Sequence, residues 1–159
     1  MIYNSIISPY FRYCNIAWSS CNSYSTLRLY RLQKRAVRVI THANFLAHTK
    51  PLFSQLNLLN VYDFSDYEIA IFMYLCYKSY IPNNISELFC YNADIHSYNT
   101  RGSSNFHLPK IRTSLAKNCI FYKGPIIWNK LPLFVKSSPS LSVFKRRYKT
   151  QLVTKYSHV

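Results

Sequence analysis

Thr26 to His42 reads TLRLYRLQKRAVRVITH, and the spacing of its apolar residues decides the fold class. Projected at about 100° per residue, Leu29, Leu32, Ala36, Val39 and Ile40 share one arc, while Arg28, Arg31, Lys34, Arg35 and Arg38 share the neighbouring one. This pattern predicts a helix with the apolar arc facing inward, and Ser25 or Thr26 supplies a cap at its start. The cationic arc contains no acidic residue. Like charges held so close repel one another unless a polyanion approaches, which makes these five side chains candidates for contact with a nucleic-acid backbone. A solvated helix face is the plainer alternative.

Helical spacing continues on both sides of this stretch. Upstream, Tyr3, Ile6, Ile7, Tyr10, Tyr13, Cys14 and Ala17 recur as one face, with Pro9 expected to kink or split the helix. Downstream, Lys50-Pro51 opens a short helix through Leu56. Asp63, Ser65, Asp66 and Glu68 then gather at the start of a longer helix to about Tyr80, where negative charge meets the positive end of the helix dipole. Its later part, IAIFMYLCY, is apolar on every side, as at the centre of a bundle.

Pro82-Asn83-Asn84 stops that helix and marks the expected boundary between two parts, 1–82 and 83–159. Beyond it, HSYNTR (96–101) and NFHLPKIRT (105–113) flank Gly102-Ser103-Ser104 in the manner of a β-hairpin, with Pro109 confining the second arm to an edge. The segment around Ile126, Ile127 and Trp128 reads as a short helix or an irregular packing stretch. Ser138-Pro139 opens a terminal helix in which Leu141, Phe144, Tyr148 and Leu152 face inward and Lys145, Arg146, Arg147 and Lys149 fill the other sides. The fold class is therefore mainly α: a helical bundle followed by a small α+β part with one hairpin and a basic terminal helix.

Composition narrows the function. The 159 residues carry twenty Lys and Arg against five Asp and Glu, a formal net charge of +15, and such a surplus attracts polyanions. Two glycines in the whole chain are too few for a phosphate-cradling loop. The five cysteines, Cys14, Cys21, Cys76, Cys90 and Cys119, are odd in number and scattered, which suits reduced and mostly buried thiols. His96, His107, Cys90 and Cys119 lack the spacing that starts a zinc site, so no metal is expected. No secretory signal is visible, and the apolar run Ile69 to Tyr77 falls short of the roughly 20 residues that cross a bilayer, so an intracellular protein, nuclear or cytoplasmic, without a membrane partner is expected.

Several blocks in a fixed order carry a resemblance: YNSIISPYFRYCNIAW (3–18), LYRLQKRAVRVI (29–40), AHTKPLFSQLNLLNVYDF (47–64), HSYNTR (96–101), GPIIWNKLP (124–132) and a basic terminal helix. Together they resemble the region after the palm in reverse transcriptases of LINE-type (non-LTR) retrotransposons of the jockey kind. The resemblance implies a thumb-like helical segment and a C-terminal extension that grip template and primer, with RNA or DNA as partner through phosphate contacts and the polymerase palm as a neighbour.

It does not imply chemistry in this chain. Polymerisation uses palm carboxylates to hold two Mg²⁺ ions, and the family's Tyr-x-Asp-Asp turn is missing. Asp66-Tyr67-Glu68 is the nearest approach and lies in an expected helix. The chain would begin within the thumb, so it is expected to be no enzyme by itself, without cofactor or small-molecule substrate, any Mg²⁺ belonging to the palm.

Further nucleic-acid contacts are assigned to Arg101, Lys145, Arg146, Arg147 and Lys149. Tyr98 is a candidate for stacking on a base, with a buried tyrosine and a loop-bonded Arg101 as the alternative. Trp18 and Trp128 are expected to anchor the core, and a scaffold that packed on the palm is the competing functional reading.

Overall fold

The computed structural model describes residues 3–20, 23–95, 98 and 101–156, and among these the architecture is mainly helical. The helices are α1 (Ser8–Arg12), α2 (Asn15–Trp18), α3 (Ser23–Ile40), α4 (Thr49–Gln55), α5 (Val61–Tyr77), α6 (Asn83–Ser86), α7 (Asn92–Ile95), α8 (Ser114–Asn118), α9 (Ile120–Lys130), α10 (Leu133–Lys136) and α11 (Leu141–Thr154). A π-helical turn, Tyr3–Ile7, precedes α1. The chain packs as two compact units, Met1–Glu68 with Lys145–Val159, and Ile69–Phe144. The first unit is thus discontinuous in sequence.

In the first unit the core holds Tyr3, Val37, Phe53, Leu58, Leu59, Val61, Tyr67, Tyr148, Leu152 and Tyr156. Helix α3 turns a different face inward from the one its apolar spacing predicts. Thr26, Gln33 and Val37 are buried, while Leu32 and Val39 are 62% and 69% exposed. The cause is Gln33, 2% exposed. Its Nε2 donates to the Tyr3 hydroxyl at 2.6 Å and to the Leu59 carbonyl at 2.9 Å, and its Oε1 accepts the Val61 N–H at 2.9 Å. One amide so satisfies three groups that burial would otherwise leave unpaired, including a free donor at the start of α5.

Asn60 completes that start, its Oδ1 accepting the N–H groups of Tyr62 and Asp63. Asp63 in turn accepts from Asn60 Nδ2 and from the hydroxyl of Tyr156, which also receives the Asn60 side chain at 2.9 Å. Residue 156 is thereby tied to the beginning of α5.

The N-terminal segment also departs from its expected face. Tyr3 is buried, but Ile6, Tyr10, Tyr13 and Cys14 are exposed. Pro9 sits harmlessly in the first turn of α1, and the helix is broken at Cys14, which adopts φ 47°.

The second unit is built round aromatic rings. Trp128, 1% exposed, stands 6.1 Å from both Phe106 and Phe144, and Tyr74 stacks on Phe144 at 4.5 Å while its hydroxyl donates to the Ser138 carbonyl. The segment left open between helix and irregular stretch is helical: α9 runs through Gly124 and Pro125. A Cβ on Gly124 would lie 2.6 Å from Met73 Sδ, so the helix approaches α5 only because that side chain is absent.

The expected hairpin falls partly on residues 96–97 and 99–100, which lie outside the described residues, as do Cys21 and His96. Next to them a single antiparallel bridge joins Tyr91 and Phe106. The bonds His107 N–H to Cys90 O and Asn92 N–H to Asn105 O pair 90–92 with 105–107, so 105–107 lies against residues upstream of HSYNTR. Asn129 extends the pairing: its Oδ1 accepts the Phe106 N–H and its Nδ2 donates to the Phe106 carbonyl.

Of the four described cysteines, Cys76 alone is buried, its thiol pushed up to about 11 by burial; Cys14 and Cys90 are exposed and Cys119 is half-buried. The expectation of mostly buried thiols therefore fails, because Cys14 and Cys90 sit in short turns between helices where little can cover them.

Candidate nucleic-acid interface

The rotation of α3 decides what its outer surface presents. With Gln33 and Val37 inward, Arg28, Arg31 and Arg35 lie on the exposed side, and Lys34 and Arg38 stand half-buried on its flank. Among the described residues no acidic side chain pairs with Arg28, Arg31 or Arg35. At roughly 100° per residue these three occupy about 60° of arc, near enough for one anionic backbone to meet them together.

The flanking cations are committed in part. Lys34 Nζ lies 4.8 Å from the centre of the Tyr30 ring. Arg38 donates from Nε to the Ala47 carbonyl at 3.0 Å and lies 5.9 Å from the Phe45 ring. It therefore holds the turn after α3 as well as carrying charge. The five predicted residues share one helix side, but three of them are free to meet a ligand fully.

The apolar residues displaced by the rotation border the same surface. Leu32 and Val39 lie along one edge of the arginine stripe, and Phe45 and Leu46 follow in the next turn, 76% and 83% exposed. The surface is thus a cationic strip edged with hydrocarbon, a feature the inward placement of Leu32 and Val39 had concealed at the level of sequence.

The terminal cluster does not form one face. Leu141, Phe144, Tyr148 and Leu152 point inward as expected, leaving Arg146 exposed and Lys145, Arg147 and Lys149 half-buried around α11. Burial, and then the charge of Arg12, lower the Lys149 ammonium from its ordinary range. Tyr98 is exposed rather than buried, and Arg101 is exposed. Trp128 is a core ring, and Trp18 is half-buried with its indole N–H donating to the Tyr13 carbonyl.

Arg12 was missed by the sequence reading. It lies at the end of α1 and faces Glu68, whose carboxyl burial raises while Arg12 and then Lys145 lower it. No spacing in the chain links Arg12 to Lys149; the fold alone brings them to one place. Among the described residues no group of three or more His, Cys, Asp or Glu side chains is placed to hold a metal ion, and no helix is long and apolar enough to cross a membrane. No family model matches the chain, and neither a curated protein nor a solved structure does.

Proposed function

We propose that the chain grips the phosphate backbone of RNA or DNA without reading sequence, as the thumb and adjoining extension of a LINE-type reverse transcriptase would, and that it carries no catalytic centre of its own. The observation that supports this reading is the exposed, unpaired arginine face of α3, set in a chain with a formal net charge of +15. Guanidinium groups suit the task because their donors match phosphate oxygens in pairs. In this reading residues 1–82 correspond to the thumb and 83–159 to the extension, Tyr98 and Arg101 add contacts from the segment between Tyr91 and Phe106, and the protein works in the nucleus or cytoplasm. Mg²⁺ belongs to the palm.

Arg28→Glu, Arg31→Glu and Arg35→Glu combined is the direct test, since none of the three side chains supports the fold. Each phosphate contact contributes a slope of about −0.9 to log K against log salt on duplex DNA. The triple variant should lower the magnitude of that slope by about 2 to 3 and weaken retention at low salt. An unchanged slope rejects the α3 face.

A second reading has its own support: Leu32, Val39, Phe45 and Leu46 are exposed beside the arginines, as on a surface that once packed against the polymerase palm. Under this reading the chain is a structural module without activity. Binding to polyanions would then be weak, and Leu32→Ser with Val39→Ser would suppress self-association while leaving nucleic-acid retention as it was.

A further inference from the structure

Behind α3, on the side away from its arginines, the first unit contains a small cleft of about 70 Å³. Gln33 and Leu59 form part of its wall, with Phe11, Phe64 and Tyr67. Two of its lining side chains are cations, Arg12 and Lys149, and no acidic residue lines it. Asn4, Ser8 and Asn57 add uncharged polar groups. Gln33 cannot contribute, because both ends of its amide are committed to Tyr3, Leu59 and Val61.

We propose that this cleft is a binding site for a single phosphate group, held between the Arg12 guanidinium and the Lys149 ammonium. Two positive charges brought to one partly apolar cleft repel each other, and a dianion between them reverses the sign of that interaction. Glu68 does not replace it: the residue faces Arg12 from outside the lining, and burial disfavours its charged form. The walls supply further donors, as phosphate with its several acceptor oxygens requires. The volume admits a phosphate group, and any base or sugar attached to it would lie outside the cleft. The site is independent of the α3 face, since Gln33 lies about 160° round the helix from Arg31 and Arg35.

Calorimetric titration of the full chain with inorganic phosphate in chloride buffer tests the proposal, with sulfate and acetate in parallel. One-to-one binding is expected, with phosphate tighter than acetate. It should weaken at least about tenfold, or 1.4 kcal/mol, in both Arg12→Gln and Lys149→Met, and remain unchanged in the Arg28, Arg31 and Arg35 triple variant. Arg12 is exposed, so its substitution leaves the fold intact and decides the matter if Lys149→Met unfolds.

A second arm identifies the source of the phosphate. On the α3 triple variant, preference for a 5′-phosphorylated over a 5′-hydroxyl oligonucleotide assigns a nucleic-acid end; equal retention of the two, with free phosphate still bound, assigns a free phosphate. The proposal is overturned by no binding of phosphate tighter than about 1 mM, by acetate binding as well as phosphate, or by binding that neither substitution alters.

Discussion

Gln33 is a polar side chain buried on the inner face of α3 beside Val37, and its worth lies in what would be stranded without it. Gln33→Leu keeps the volume roughly but leaves the Val61 N–H, the Leu59 carbonyl and the Tyr3 hydroxyl unpaired in the core. At about 1–3 kcal/mol for a stranded group, and with partial relaxation, the loss should be about 2–4 kcal/mol, read as a lower urea midpoint. Glu68 gives the opposite sign. Burial raises its carboxyl above the unfolded value, so the folded chain holds the proton to higher pH and the associated stability is lost as pH rises through the raised value. Glu68→Gln should therefore raise the urea midpoint near neutral pH and flatten its decline above the ordinary glutamate range. A steeper decline in the variant would show that the attraction of Arg12 and Lys145 outweighs burial.

At the scale of the element, α3 shows how far the chain could be read in advance. Although the helix already includes Ser23, so that Ser25 and Thr26 lie within it rather than cap it, its length and its five cations were legible, because a 3.6-residue period and a run without acids survive any rotation about the axis. The rotation itself was not. Leu32 and Val39 are as apolar as Leu29 and Ile40, and the hydrogen bonds that turn Gln33 inward come from Tyr3, Leu59 and Val61, distant in sequence. The terminal helix α11 was read correctly on its inner face, because Phe144, Tyr148 and Leu152 keep one helical stripe that no buried polar network turns aside. The partnership of Arg12 with Lys149 had no sequence signal at all. Helix α9 supplies a prediction of its own: Gly124→Ala places a methyl against Met73. It should cost about 1–3 kcal/mol despite alanine's better helix propensity, and the same substitution should cost less in a Met73→Ala background, as a double-mutant cycle would read.

For the molecule as a whole, twenty cations against five anions make self-repulsion a standing cost of compactness. Sodium chloride should therefore raise the urea midpoint as it screens the surplus, with most of the gain reached by about 0.15 M, where the Debye length has fallen to about 8 Å. Urea is the denaturant required, since guanidinium is itself a salt. A short polyanion should have the same effect at far lower charge concentration if it engages the α3 face, and no more effect than chloride if that face is idle.

The bond from Tyr156 to Asp63 and Asn60 also sets an order of assembly during synthesis. Residues 69–144 are contiguous and leave the ribosome as one run, whereas the unit that includes residue 63 cannot close until residue 156 has followed them. Throughout that interval the nascent segment before residue 69 carries its exposed arginines and apolar side chains without the residues that close its core. A chain fused after residue 144 to a linker long enough to span the ribosomal exit tunnel, and then stalled, should be open to protease before residue 69, while residues 69–144 resist.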